Sequence, residues 1–322
     1  MADRPPTLSR FLAERLAADA NSEGLADVID AIARGARIVE AGTRQAALGG
    51  MLGYTDEINV QGEIVARLDT LGTTTFVDVL RESGRVGALA CEELEEMVHI
   101  SDDASHRYLA VFDPVDGSSN IDVAVTIGSI FGIYRRRDDS PIIAETLLRP
   151  GREQVAAVYA IYGSSTVLVL ALPGEVHGFT LDPESADFLL THEGIRIPES
   201  VSCYSVNEGN ADRWEPGVAK AVSMLRERYS LRYVGSLVAD FHRDLLKGGI
   251  FLYPGDVKNP KGKLRLSYEA NPLSYVAEQA GGAGSTGESR IMDVMPEALH
   301  QRTPLVIGNA DVVAEVEAII AD

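Results

Sequence analysis

Two stretches of the chain run apolar residues straight into acid. Val86–Ala90 leads to Cys91-Glu92-Glu93, and Tyr108–Phe112 leads to Asp113-Pro114-Val115-Asp116-Gly117-Ser118-Ser119. Carboxylates a few ångströms apart raise one another's pKa and take up protons unless cations keep them ionised. Oxygen-only donors suit hard divalent ions, and the sequence has neither a His cluster nor paired thiolates for a softer one. Mg²⁺ is the expected ion, with Mn²⁺ or Zn²⁺ as substitutes and two or more ions per site. Beyond Asp116, the Gly117-Ser118-Ser119 turn offers backbone N–H groups and hydroxyls for phosphate oxygens. Metals facing phosphate donors describe phosphoryl hydrolysis, in which paired ions polarise the phosphoryl group and acidify a bound water.

Each piece has a plainer reading. Glu92-Glu93, followed by Glu95-Glu96, would alone be a solvated charge run, and Asp-Pro-x-Asp-Gly is a favoured turn sequence. Ser118-Ser119 would pass for loop or cap residues. Both acidic pairs at the ends of consecutive strands is a rarer arrangement. In layered α/β proteins ligands sit at the carboxyl ends of strands, so if these two strands are neighbours their carboxylates converge in one crevice.

The elements that must position this site follow from periodicity and breakers. Leu8, Phe11, Leu12 and Leu16 recur at helical spacing, as do Leu25, Val28, Ile29, Ile32 and Val39 after an Asn21-Ser22 cap signal. Gly49 to Gln61 reads as a mobile loop, and a helix through Leu68, Phe76 and Leu80 stops at Ser83-Gly84. Strand-length apolar runs follow at Val86–Ala90, Tyr108–Phe112, Thr126–Tyr134, Val155–Tyr162 and Thr166–Leu172. Later, Val218–Leu225, Val238–Leu246 and Pro272–Ala280 look helical, Ile250–Tyr253 and Leu264–Tyr268 strand-like. The aperiodic segment Leu189–Pro198 predicts a boundary between domains 1–195 and 196–322. The fold class is α/β (α+β), in two layered domains.

The 322 residues, 45% hydrophobic and 24% charged, exclude a disordered chain. Two distant cysteines, Cys91 and Cys203, exclude a disulfide framework or structural zinc site. A net charge of −19 opposes non-specific binding to nucleic acid or anionic lipid. Five of the basic residues are Lys and 24 are Arg, and the acids are spread along the whole chain. Such a hydrated acidic surface suits a salt-rich cytoplasm, the alternative being an ordinary acidic enzyme. Charges between Asp3 and Arg15 occupy the place of a signal peptide's apolar core, so a cytoplasmic location is expected.

With these motifs in view, the chain resembles class I fructose-1,6-bisphosphatases along nearly its whole length. The resemblance rests on Asn59-Val60-Gln61-Gly62-Glu63, Arg67-Leu68-Asp69, Glu92-Glu93, Phe112 to Asp122, Gly128 to Tyr134 and Asn207-Glu208-Gly209. It continues through Arg232-Tyr233-Val234-Gly235-Ser236, Gly249 to Pro254 and Gly262 to Glu269. Asp-Pro-x-Asp-Gly-Ser alone would indicate only the wider lithium-sensitive phosphatase superfamily; Gly-Lys-Leu-Arg-Leu and Asn-Glu-Gly narrow it to sugar bisphosphatases. The resemblance implies a layered α/β/α/β/α sandwich. It also implies release of the 1-phosphate of fructose 1,6-bisphosphate in gluconeogenesis, with sedoheptulose-1,7-bisphosphatase activity as the alternative. A catalytically silent metal- or sugar-phosphate-binding protein is the alternative of another class.

By the same resemblance Glu92, Asp113, Asp116 and Glu269 ligate the metals, assisted by the Val115 carbonyl and Glu63, while Asp69 and Glu93 orient and deprotonate the attacking water. Coupling raises one pKa of such a dyad toward the working range, which makes it a usable base. Gly117, Ser118 and Ser119 would hold the scissile phosphate. Asn207, Tyr233, Tyr253, Lys258 and Lys263 correspond to positions that bind the sugar and the retained phosphate. Arg232 reaches in from a neighbouring subunit, its guanidinium fork matching phosphate geometry, which implies a homo-oligomer, a tetramer. In the family's AMP site this chain has Ala26 where a hydroxyl is expected and an added carboxylate, Glu23, that repels phosphate, although Arg107, Tyr108 and Arg135 match. The departure speaks against AMP inhibition.

Overall fold

Apolar residues at helical spacing build the first layer of the fold in this computed structural model, which describes residues 4–17, 20–50, 52–58 and 64–322. Helices Leu8–Leu16, Leu25–Arg44 and Arg67–Glu82 each bury one face. The second begins after Gly24, which takes φ +83°; the expected cap residues Asn21-Ser22 lie instead in a 3₁₀ turn, Ala20–Ser22. The stretch expected as a loop from Gly49 holds strand Tyr54–Ile58, paired antiparallel with Ile64–Ala66. Residues 59–63 of that stretch lie outside the described residues.

An eight-stranded sheet supplies the second layer, in the order Phe188–His192, Glu175–Leu181, Thr166–Leu172, Gln154–Tyr162, Ile127–Arg135, Tyr108–Asp116, Val86–Cys91, Val98–His99. Its pairs are antiparallel except for Val86–Cys91 beside Tyr108–Asp116. Alternation along its strands feeds two cores. Phe112, Phe131, Ile133 and Val158 meet Phe76, Ile29 and Ile32 of the outer helices. Ile130, Tyr159 and Val169 face the opposite way, onto Leu237, Phe241, Leu273 and Val276.

Those last residues belong to helices Leu237–Lys247 and Asn271–Gln279, the middle layer. The fourth layer is a five-stranded sheet in the order Ser230–Leu231, Cys203–Ser205, Gly249–Tyr253, Leu305–Asn309, Gly282–Ser285. Helices Pro216–Arg228 and Ala310–Ala321 cover its far face through Val218, Val222, Leu225, Val312 and Val316. The result is an α/β/α/β/α sandwich.

One strand is absent where the apolar run Leu264–Tyr268 predicts it. Only Leu264–Arg265 is extended, paired with Arg302–Thr303, and Leu266–Ala270 winds into a π-helical turn that continues into helix Asn271–Gln279. Short apolar runs are ambiguous between buried strand and buried helix, and this one is buried throughout. Both cysteines are free and buried. None of the described helices is long and apolar enough to cross a membrane.

Candidate active site

Because Val86–Cys91 and Tyr108–Asp116 run parallel with Cys91 opposite Phe112, their acidic extensions leave the sheet side by side. Glu92 N donates to Phe112 O at 3.1 Å, which sets Glu92 next to Asp113. The second strand does not turn at Asp113 as its sequence suggests; it continues through Asp116 and is buried along its whole length. Its register against the next strand slips there, Asp113 facing Ile130 and Asp116 facing Gly128. Three steps along a regular strand would place the two aspartates on opposite faces, and the extra residue of a bulge brings both to one. Pro114, which has no N–H to give the ladder, occupies the bulge.

Glu269 joins them from the π-helical turn. Asp113, Asp116 and Glu269 are all buried, and each offers a carboxylate oxygen within 4.8 Å of the others. Asp113 Oδ1 accepts the Val115 N–H at 2.9 Å. Asp116 Oδ2 accepts from Val238 N at 2.8 Å and Ser236 Oγ at 3.3 Å, at the N-terminus of the middle-layer helix. Glu269 accepts the backbone N–H of Arg265 at 2.5 Å. Glu92 lies beside this trio, hydrogen-bonded to Asp113, with Arg265 Nε 3.2 Å from its Oε1. Arg265 was not predicted as a site residue. The one available signal is its position as a cation within the apolar stretch Leu264 to Leu266.

Burial dominates the electrostatics and neighbouring carboxylates add to it. Glu92 is pushed up to about 7 despite the opposing charge of Arg265. Asp116 is pushed up to about 6 by burial, against the two hydrogen bonds it accepts. Asp113 and Glu269 rise well above the carboxylate range through burial and then the charge of Glu92. A buried set of oxygen donors that holds protons for want of positive charge fits a hard divalent cation.

Asp69 lies near Glu93 and Glu92, and Glu93 in turn acts on Asp113. Asp69, in the first turn of helix Arg67–Glu82, accepts the Ala66 N–H at 3.0 Å and is buried. Desolvation, followed by the charge of Glu93, pushes its pKa up to about 7, against hydrogen bonds from Ala66 and Ser118. Gly72 on the same helix packs against strand residues Pro114 and Val115, where an added Cβ would lie 2.9 Å from the Val115 side chain. Gly117 takes φ +81° and opens the 3₁₀ turn Ser118–Val123, in which Ser119 is exposed.

Farther out, Asn207, Tyr253 and Lys263 line one cavity together with Trp214 and Asn210. Tyr233 connects that region to the acids: burial and the nearby Tyr253, Asp240 and Asp116 push its phenol up to about 12. Arg232 is exposed on the same loop. Lys258 is exposed after the Asp256 turn and is not among the residues lining that cavity. Glu63 lies outside the described residues. In the region expected to resemble a nucleotide-phosphate site, Arg107 pairs with Glu23 at 2.9 Å and Arg135 Nη1 donates to Asn21 O at 2.9 Å.

Comparison with known proteins covers both halves of the chain. Family models described as fructose-1-6-bisphosphatase N-terminal and C-terminal domains match residues 6–193 and 197–321. Cytosolic fructose-1,6-bisphosphatase of Arabidopsis thaliana is 45% identical, with 98% of this chain and 95% of that protein covered. Class 1 fructose-1,6-bisphosphatase of Trichormus variabilis is also 45% identical, covering 98% and 92%. Among solved structures, Leishmania major fructose-1,6-bisphosphatase in holo form superposes with a TM-score of 0.93 at 39% identity, covering 99% of each chain. The apo form of that enzyme gives 0.88 at 37% identity, covering 99% and 100%.

Proposed function

As the chain belongs to the class I fructose-1,6-bisphosphatase family, we propose that it hydrolyses the 1-phosphate of fructose 1,6-bisphosphate, giving fructose 6-phosphate and phosphate. The observation that carries this reading is the meeting of Asp113, Asp116 and Glu269 within 4.8 Å, with Asp69 and Glu93 alongside. Glu92, Asp113, Asp116 and Glu269 hold Mg²⁺, helped by the Val115 carbonyl and Glu63, with Mn²⁺ or Zn²⁺ as substitutes. When bound, such ions polarise the phosphoryl group and offset charge on the leaving oxygen.

The chain's own residues do the rest. Asp69 and Glu93 form the dyad that orients water and takes its proton at a carboxylate oxygen; a pKa raised to about 7 suits that task near neutral pH. Gly117, Ser118 and Ser119 hold the scissile phosphate, with Gly117 keeping the backbone clear of Ser236. Asn207, Tyr233, Tyr253, Lys258 and Lys263 bind the sugar and the retained phosphate, and Arg232 serves a neighbouring subunit of a homotetramer. The metal-binding strands belong to a domain 1–195 and the sugar end to a domain 196–322. The protein acts in the cytoplasm, in gluconeogenesis, its acidic surface suits high salt, and AMP has little effect because Glu23 already occupies Arg107.

Phosphate release from fructose 1,6-bisphosphate that requires Mg²⁺ and is abolished by EDTA is the test, with sedoheptulose 1,7-bisphosphate assayed beside it. No release would leave a silent binding protein. A much higher kcat/KM on the seven-carbon sugar would reassign the substrate.

A further inference from the structure

The loop Arg232–Ser236 is held along its backbone while the side chains of Arg232 and Val234 are exposed. Arg232 N donates to Tyr204 O at 2.9 Å, and Arg232 O accepts from Arg243 Nη2 at 3.2 Å. Val234 N donates to both oxygens of Asp240, each at 3.0 Å, and Gly235 N to Asp240 Oδ2 at 3.1 Å. Gly235 O accepts from Asn120 Nδ2 at 3.0 Å. The loop ends where Ser236 gives its hydroxyl to Asp116. Arg232 and Val234 are nonetheless exposed, and the Tyr233 ring is partly exposed, beside Tyr253. A backbone pinned in this way fixes where the side chains of Arg232 and Tyr233 begin, the support that precise presentation to a ligand requires.

Asp240 is the centre of this arrangement and is fully buried, at 0% exposure. Burying a carboxylate is costly unless it is paired and hydrogen-bonded. Arg243 pairs with it at 2.8 Å, and the same guanidinium reaches Asp244 at 3.3 Å. An acid in a helix's first turn ordinarily serves that helix's own N–H groups; here it is turned back onto the preceding loop. The first turn of this helix also gives Val238 N to Asp116. One rigid element therefore carries both the hydrogen bonds to the acidic cluster and the clamp on the loop.

We propose that Asp240, with Arg243, is a positioning residue for substrate recognition: it fixes where Tyr233 stands relative to Asp116 and how Arg232 is presented to the neighbouring subunit, and so sets affinity for the phosphate that is not cleaved. The proposal rests on the reading above in which Tyr233 and Arg232 bind that phosphate. Two effects that a structural role alone would merge can be separated, because Asp240 accepts from Val234 and Gly235 whereas Asp116 is held by Ser236 and Val238.

The experiment uses Asp240→Asn and Arg243→Lys in the full-length, Mg²⁺-loaded enzyme. It measures KM and kcat for fructose 1,6-bisphosphate and inhibition by two products, fructose 6-phosphate and inorganic phosphate. The expected result is a rise of at least about tenfold in KM and in the inhibition constant of fructose 6-phosphate. Inhibition by inorganic phosphate should stay within about twofold and kcat within about threefold. Equal weakening of both products, or a fall in kcat at unchanged KM, overturns the proposal. Arg232→Ala and Tyr233→Phe run in parallel. If these leave fructose 6-phosphate inhibition unchanged, the phosphate-binding reading of the loop fails; if they weaken it while the first two variants do not, the positioning role alone fails. Should Asp240→Asn not fold, Arg243→Lys decides, since its side chain is one-quarter exposed.

Discussion

Arg265 places its guanidinium Nε 3.2 Å from Glu92 Oε1, while its own backbone N–H is held by Glu269. A single buried residue thus braces two acids of the proposed metal site, one by charge and one by its main chain. Removing one partner of a buried ion pair leaves the other uncompensated, at a cost of about 3–5 kcal/mol. Arg265→Gln should therefore lower the unfolding midpoint markedly in EDTA and much less with Mg²⁺ present, where the cation replaces the lost charge. Thermal unfolding in both buffers checks this, and an equal drop in the two would reduce Arg265 to a packing residue.

The pH dependence of the metal-free protein follows from the same cluster. Burial and mutual repulsion raise Glu92 to about 7 and Asp116 to about 6, with Asp113 and Glu269 higher. A carboxyl whose folded pKa exceeds its unfolded one binds its proton more tightly in the native state, so stability is gained as pH falls through the folded pKa. Metal-free protein should accordingly unfold at higher temperature at pH 6 than at pH 8. Because bound Mg²⁺ displaces those protons, the stabilisation it gives should be larger at pH 8. A Mg²⁺-induced shift independent of pH would contradict the assignment.

Asp116→Ala and Glu93→Gln should each reduce turnover by at least about a hundredfold, as expected when a metal ligand or a base is lost. Initial rates at saturating Mg²⁺ decide the matter. Near-normal activity in either variant removes that residue from the mechanism.

Part of this candidate site is legible in the sequence. Strands at Val86, Tyr108, Thr126, Val155 and Thr166 announce themselves because a buried strand needs an unbroken apolar run, and the acids at two of their ends converge in one crevice provided the two strands are neighbours, which the pairing of Cys91 with Phe112 establishes. The bulge was not legible: Asp113-Pro114-Val115-Asp116 has turn chemistry, and only pairing with Ile127–Arg135 keeps it extended. The strands Glu175–Leu181 and Phe188–His192 were missed because their mixed polarity carries little period. The apolar run Leu264–Tyr268 reads as a strand that would end at Glu269, whereas Glu269 sits in a π-helical turn. Asp240 gave no signal, since an acid near a helix start is ordinary and its grip on Val234 and Gly235 exists only in three dimensions.

A net charge of −19 leads to a solution prediction. Self-repulsion of distributed acid is screened to a few ångströms in molar salt. The loss of exposed pairs such as Arg10 with Glu14 matters less, because these contribute little. The unfolding midpoint should rise between dilute buffer and molar KCl; a flat or falling midpoint would make the acidic surface unremarkable.

Among the described strands of the large sheet, Val86–Cys91 and Tyr108–Asp116 are the one pair of immediate neighbours that point the same way. In a weave that runs back and forth, neighbouring tips finish at opposite rims; only a co-directional seam leaves two tips level. The proposed metal site is moored to that seam. The hairpins of the opposite rim, such as the exposed tip at 173–174, are where the polymer can be cut and rejoined, lengthened or decorated with the chemistry left undisturbed.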